Sequence, residues 1–400
     1  VDILITANSP GEIAGLLRPV ARILKEKVPS ASVKVALLPC VFASGREAAV
    51  AAAMEWVDEV YPPARFLSLL NGPKPEKKTI LLHLGGDLIY AAQMARKWEV
   101  PAWAYIWAGK RGDRYFKGYF VRHEMDVSRL IKQGINPGKI FRVGDLVVDS
   151  VHGSLSERRD PDPGEGCMRI CFLPGSRLRE IRALAPFFLE VAAGIRKAIP
   201  GCEFNLLLSP FLDRKETFSA LRAGPDRKMG GLQGEVLEED GVMRSPGGTV
   251  LRLVGESQYD FLSRADLAIA IPGTKTGEAG CLGVPLITIV PLNRIEEVPF
   301  FGILGLLDLV PWAGKHIKGM ILEHFVKSRY GFVSQPNILA GREIVPEMVR
   351  HMTAGDVAVK ALELLQDENG RRRISGELQE LYSPHRGAAE RLVERMLASE

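Results

Sequence analysis

The sequence predicts an α/β protein built from two doubly wound, Rossmann-like domains. Three observations point there: apolar strand-like runs alternate with helical stretches, one strand–loop–helix–strand phrase occurs twice, and a polar stretch rich in Pro and Gly separates the two occurrences. At 400 residues and 46% hydrophobic, the chain exceeds what one core ordinarily supports, so two domains of about 150–200 residues are expected.

The first phrase is "VDILITANSPGEIAGLLRPVARILKEKVPSASVKVALLPC": a strand, a glycine-containing loop, a helix ended by Pro29, and a second strand. "TILLHLGGDLIYAAQMARKWEVPAWAYIW" continues it with a strand, Gly-Gly-Asp, a helix, Val-Pro and a strand, and this domain is expected over 1–155. "HGSLSERRDPDPGEGC" reads as the connection, with the linker at 156–167. Its Asp160 and Asp162 follow no strand and read as solvated charges, not metal ligands.

The second phrase begins at Met168, "MRICFLPGSRLREIRALAPFFLEVAAGIRKAIPGCEFNLLLSP", with the same parts in the same order. Even the prolines correspond, Pro19 with Pro186 inside the early helix and Pro29 with Pro200 at its exit. "RAGPDRKMGGLQGEVLEEDGVMRSPGGT" reads as a mobile surface insertion, and "DLAIAIPGTKTGEAGCLGVPLITIV" repeats the strand–loop–helix–strand phrase. The second domain is expected over 168–355, and 356–400 reads as helices with charged outer faces. Such alternation implies parallel sheets of right-handed βαβ units.

Composition excludes several classes. Lys and Arg number 52 against 48 Asp and Glu, and a net charge of +4 argues for no nucleic-acid partner. The five cysteines, Cys40, Cys167, Cys171, Cys202 and Cys281, form no regular framework, which suits a reducing, cytoplasmic setting. Cys167 and Cys171 lack a second pair or a nearby His, so no metal site is expected. The opening "VDILITAN" has no signal-peptide pattern, and no run of about 18 apolar residues is present.

The loop "PGTKTGE", residues 272–278, stands between two apolar runs. In an open parallel sheet ligands bind beyond the carboxyl ends of the strands, where the next helix offers unpaired N–H groups. Gly273 lets the backbone approach a phosphate, Thr274 and Thr276 offer hydroxyls, and Lys275 offers a charge. Glu278, expected in the first helical turn, can accept two hydroxyl protons of a ribose; a helix cap is the plainer alternative. "FLPGSRLREI" is the matching loop of the same domain, where Gly175 and Ser176 turn the chain. Arg177 either neutralises a leaving diphosphate or pairs with Glu180. Neither loop is a Walker A or Gly-x-Gly-x-x-Gly motif, which weakens ATPase and dehydrogenase readings.

With these residues in view the chain resembles the lipid-A-disaccharide synthase family of GT-B glycosyltransferases. The resemblance rests on "LPGSRLREI", "SRADLAIAIPGTKTGEAGCLGVP" and above all "YGFVSQPNILAGREIVPEMV" at 330–349, and continues more weakly through the first domain. It implies a GT-B fold with two domains facing a cleft and the carboxyl-terminal helices packing back across it. It also implies a UDP pocket drawing on Ser176, Arg177, Thr274, Glu278, Asn337 and Arg342. The amino-terminal half departs from the family: "ANSPGEIAG" has Asn8 where the family has Glu and Glu12 where it has Asp, "LGGDLI" keeps only Asp87, and a tryptophan-rich motif shrinks to "YIWAGKRGDR".

Sugar transfer requires a base for the acceptor hydroxyl and positive groups for the leaving diphosphate. Asp87 is the first candidate base and Glu12 the second, with a helix cap as the alternative for each; Arg177 and Lys275 supply charge without metal or other cofactor. His83, on the strand before Asp87, reads as a core residue. "VPFFGILGLLDLVPW" and the basic-apolar segment after it, through Arg329, suit either contact with an anionic membrane surface or burial in a homodimer interface or core. The expected partners are thus a UDP-sugar donor and a lipid-linked sugar acceptor. An epimerase acting on UDP-N-acetylglucosamine and an inactive nucleotide-sugar binder are the alternatives.

Overall fold

The computed structural model describes residues 1–39, 45–156, 167–293 and 331–399. The expected membrane or dimer surface at 298–329, Cys40, and the Asp160 and Asp162 pair lie outside them. The chain divides into two compact units, Val1–Ser154 with Tyr382–Glu400, and Leu155–Leu381.

Seven strands form the sheet of unit 1: β1 Asp2–Ala7, β2 Ser32–Leu37, β3 Glu59–Tyr61, β4 Thr79–His83, β5 Ala102–Tyr105, β6 Gly118–Val121 and β7 Ile140–Arg142. Their spatial order is β3-β2-β1-β4-β5-β6-β7, and every pairing is parallel. The central strands are buried throughout, which is why their apolar residues run consecutively, as at Ile3–Ile5 and Ile80–Leu82, instead of alternating with polar ones. Order reverses between β1 and β4, so the loops after these two strands flank the place where a doubly wound sheet opens to a ligand.

The first helical segment runs Pro10–Glu12, passes through a π turn at Ile13–Leu17, and continues as Arg18–Lys27. Pro19, which has no N–H to donate, sits in the first turn after the π segment, so the widening absorbs the bond it cannot make. The end of the chain also belongs to this unit. The carboxylate of Asp149 accepts from the backbone N–H groups of Gly387 and Ala389 at 2.7 Å each, and Lys27 lies 2.8 Å from Glu394, on the closing helix Ala388–Leu397. The expected block 356–400 is therefore divided, with its first part in unit 2 and residues from Tyr382 onward in unit 1.

Unit 2 holds β8 Arg169–Leu173, β9 Glu203–Leu207, β10 Glu235–Leu237, β11 Val242–Arg244, β12 Val250–Val254, β13 Leu267–Ala270, β14 Leu286–Pro291 and β15 Glu347–Arg350. The order is β10-β11-β12-β9-β8-β13-β14-β15. From β12 to β15 it repeats the winding of unit 1, with its switch between β8 and β13. The helix Leu178–Ala198 buries Leu184, Phe187 and Phe188, and Phe188 stacks on Phe172 of β8 at 4.9 Å.

The stretch 222–249, expected to be a mobile insertion, is instead part of the sheet. It supplies β10 and β11 as an antiparallel extension of β12, with Met243 fully buried and Leu232 N–H bonded to the carbonyl of Pro186 at 3.0 Å.

Candidate functional site

In unit 1 the loops after β1 and β4 meet at Glu12. Its Oε2 accepts from the N–H groups of Asn8 at 2.8 Å and Ser9 at 3.3 Å, so the carboxylate lies folded over the end of β1. That position exists only because residue 85 is glycine: a Cβ there would stand 1.9 Å from Oε2 of Glu12 and 2.5 Å from Oε1. Burial pushes the Glu12 carboxyl above the usual carboxylate range, against the opposing pull of the N–H groups of Asn8, Ser9 and Gly86. A carboxyl whose proton affinity is raised by burial in a pocket is a candidate for proton exchange with a bound hydroxyl.

Glu12 lines a cavity of about 360 Å³ together with His83, Gly85, Gly86, Asp87, Tyr105, Trp107 and Arg111. Asp87 stands at its exposed edge, where its Oδ1 accepts from the N–H of Ile89 at 3.0 Å and caps the helix Leu88–Trp98. Its other oxygen faces Arg111 at 3.5 Å. The two candidate carboxylates are thus brought to one cavity, and Asp87 also performs the cap foreseen as its plainer role.

His83 forms part of the floor. It is 2% exposed, bonded through Nδ1 to the hydroxyl of Thr6 at 2.8 Å, and its pKa is lowered to about 4 by burial, so it is neutral at physiological pH and serves the core. Tyr105 closes the floor, donating to the carbonyl of Gly144 at 3.0 Å and accepting from the N–H of Leu146 at 3.2 Å. Trp107, 41% exposed, forms one wall. It is braced from behind: the Arg122 guanidinium lies 4.8 Å from the ring centroid, and Arg129 donates to the Trp107 carbonyl at 3.1 Å.

In unit 2 the loops after β8 and β13 are adjacent because those strands pair, Leu173 opposite Ala270. Gly175 has φ +107°, and a Cβ there would lie 2.2 Å from Oε2 of Glu180. Glu180 accepts from the N–H of Arg177 at 3.1 Å and from its guanidinium at 2.8 Å, so of the two roles open to Arg177 the structure contains the ion pair. Ser176 is half-buried between them.

Gly273 precedes the helix Thr274–Cys281 at φ +144°, a backbone conformation open to glycine, with no atom within 4 Å of a built Cβ. Thr274 opens the helix and is half-buried. Glu278 is the fifth helical residue, one turn later than expected, and is 5% exposed. Its Oε2 lies 2.7 Å from Nζ of Lys275. Thr276, expected to offer its hydroxyl to an anion, is instead fully buried, donating to the carbonyl of Gly273 at 2.9 Å and accepting from the N–H of Gln335 at 3.1 Å.

Asn337 is also internal. It is fully buried, and its amide makes four hydrogen bonds: to the carbonyl of Val345 and to Glu347 Oε1, both at 2.8 Å, and from the N–H groups of Ile344 at 2.7 Å and Val345 at 3.0 Å. Glu347 in turn accepts from the N–H groups of Val333 and Ser334 and from the Ser334 hydroxyl. The stretch 333–347 is therefore a bracket that seats Gln335 against the 273–278 loop, where Gly277 leaves room for it: a Cβ at 277 would lie 2.2 Å from Gln335 Oε1. Arg342 is exposed and paired with Glu377.

Sequence reasoning missed Gly85, Arg111, Gln335 and Glu347. Only Glu347 left a signal, an acidic residue inside the apolar "IVPEMV".

No family model matches the chain. It is similar to the lipid-A-disaccharide synthase of Nitrosococcus oceani, 26% identical over 209 residues that cover 52% of this chain and 42% of that protein. It is likewise 26% identical to the lipid-A-disaccharide synthase of Syntrophus aciditrophicus over 315 residues, 75% of this chain and 70% of that one. Among solved structures, UDP-GlcNAc 2-epimerase from Neisseria meningitidis bound to UDP-GlcNAc covers the whole chain, and is itself wholly covered, at TM-score 0.60 and 14% identity. The glycotransferase of kitacinnamycin matches at TM-score 0.51 and 14% identity, covering 99% of this chain and 98% of its own. The fold is that of GT-B enzymes, two doubly wound units.

Proposed function

We propose that the chain transfers an acylated glucosamine from a UDP-linked donor to a hydroxyl of a lipid-linked sugar acceptor and releases UDP. The observation that carries this reading is Glu12, a carboxylate raised by burial and held over Gly85 at the rim of the unit 1 cavity. In the reaction the acceptor oxygen attacks the anomeric carbon, the bond from that carbon to the diphosphate breaks, and Glu12 takes the hydroxyl proton. Asp87, engaged with Ile89 and Arg111, shapes the cavity mouth and is the second candidate for the proton. In unit 2, Lys275, Arg177 and the N–H groups that open helix Thr274–Cys281 receive the charge of the leaving UDP, and Glu278 takes the ribose hydroxyls. The mechanism asks no metal of the protein.

The similarity to lipid-A-disaccharide synthases supports the choice of sugar and acceptor. No helix among the described residues is long and apolar enough to cross a membrane, and the reading places the protein on the membrane surface when it meets acylated substrates.

Thermal unfolding with UDP, UDP-N-acetylglucosamine and UDP-2,3-diacylglucosamine tests the donor site. A ligand at 100 times its Kd adds about 2.7 kcal/mol. Stabilisation by the acylated donor, reduced in Glu278→Gln, is expected; no response to any uridine nucleotide would remove the donor reading. The likeness of fold to an epimerase favours one competitor, which would convert UDP-N-acetylglucosamine at C2 with no acceptor present.

A further inference from the structure

Unit 2 holds an ammonium where a nucleotide needs a bare carboxylate. The side chains of Glu278 and Lys275 are 7% and 23% exposed, and their charged atoms are 2.7 Å apart. Lys275 Nζ also donates to Oε1 of Gln258 at 3.2 Å and lies 5.5 Å from the ring centroid of Tyr259. Gln258, 8% exposed, is itself fixed: its Nε2 donates to the carbonyls of Leu208 and Gly255, just beyond the ends of β9 and β12. Ser257, the residue before it, takes the left-handed conformation at φ +50°, costly for a non-glycine residue and sustained where its surroundings over-determine it.

The arrangement makes binding an exchange. A ribose diol that takes Glu278 replaces an ion pair, charged at both ends, by hydrogen bonds charged only at the carboxylate. It also leaves Lys275 without its anion in a largely dry setting, a condition that disfavours the bound state. A nucleoside alone offers Lys275 nothing in return, whereas a nucleoside diphosphate brings a new anion. Lys275 can follow it, because its ammonium rides on a flexible four-carbon stem rooted in the same helical turn.

We propose that Lys275 is a specificity latch: it occupies Glu278 in the free protein and releases it only to a ligand carrying both a ribose diol and a diphosphate. The proposal rests on the donor reading above and adds to it the reason that nucleosides are refused.

The test is calorimetric binding of uridine and of UDP to the full chain, to Lys275→Met, and to Lys275→Met/Glu278→Gln, which leaves no buried charge unpaired and guards against misfolding. In Lys275→Met, UDP should weaken at least about tenfold while uridine binds as tightly as before or tighter, since the competitor for Glu278 is gone. In the double variant the preference for UDP over uridine should shrink by at least about tenfold relative to the parent. Equal losses for both ligands in Lys275→Met would overturn the proposal and make Lys275 a fixed support of Glu278. Unchanged UDP affinity in both variants would overturn it too. Failure of UDP to bind the parent protein would remove the donor reading itself, and the latch with it.

Discussion

Replacing Asn337 by Ala should destabilise unit 2 severely and alter UDP affinity little. The side chain is fully buried and makes four hydrogen bonds inside the 333–347 bracket. Its loss orphans the N–H groups of Ile344 and Val345, residues 7% and 0% exposed, at about 1–3 kcal/mol each, and deprives the Val345 carbonyl and Glu347 of one donor apiece. A total near 4 kcal/mol is expected, and for a unit of this size each kcal/mol lowers the melting midpoint by about 2–4 °C, giving a fall of about 10 °C. Circular-dichroism melting with a parallel urea series measures it, and UDP calorimetry well below the midpoint measures the ligand. Asn337→Asp should be worse, since it sets a second carboxylate against Glu347. A melt within about 2 °C of the parent together with a tenfold or greater loss of UDP affinity would refute the bracket and return Asn337 to the ligand.

Other expectations follow from unit 1. Glu12→Gln keeps the shape of the loop but removes the base, so turnover should fall by about 10²–10⁴ with stability nearly intact; loss of fold in place of loss of turnover would make Glu12 structural. Gly85→Ala drives a methyl into the Glu12 carboxylate, so about 1–3 kcal/mol of stability and roughly a hundredfold of activity should be lost together, measured by melting and by initial rates. Gly85→Ala/Glu12→Ala should recover the stability but not the activity. The pKa of His83, about 4 against an unfolded value near 6.5, means the unfolded chain binds a proton between those values that the folded chain refuses. Its contribution is therefore present above pH 6.5 and is lost as pH falls toward 4, by about 3 kcal/mol. Glu12, raised from its ordinary value, has the opposite sign: the stability tied to its protonated form is present at low pH and declines as pH rises through its folded value. Denaturant midpoints from pH 4 to 7 on the parent, His83→Gln and Glu12→Gln separate the two contributions; a His83→Gln profile as steep as the parent's would contradict the first.

Much of the fold was legible because parallel βαβ units leave a strong imprint. Buried β13 is an unbroken apolar run and β1 is one from Ile3 to Ile5, and right-handed crossovers then restrict the order of both sheets. The hairpin of β10 and β11 was not legible, since its short strands sit among Gly, Asp and Glu and gain their pairing from β12. Nor could the outer charge of the last helices say which body they join: that is decided by Asp149 capping Ala388–Leu397 from more than two hundred residues away. At the site, the loops were found through the glycines and the strand ends, but not the partners within them. Spacing alone made Arg177 and Glu180 neighbours on a helix, whereas Gln258 meeting Lys275, Glu12 crossing Gly85, and Glu347 gathering Ser334 and Asn337 are products of the folded chain.

Sugar transfer is tested by a product-resolved assay. The protein is given UDP-2,3-diacylglucosamine with and without a lipid-linked glucosamine acceptor, and both UDP and lipid products are followed by mass spectrometry. UDP and a glycolipid lengthened by one sugar are expected in equal amounts, only when the acceptor is present, and at a rate about 10²–10⁴ lower with Glu12→Gln. A UDP-sugar epimerised at C2 without acceptor, or bound donor that is never consumed, would contradict sugar transfer.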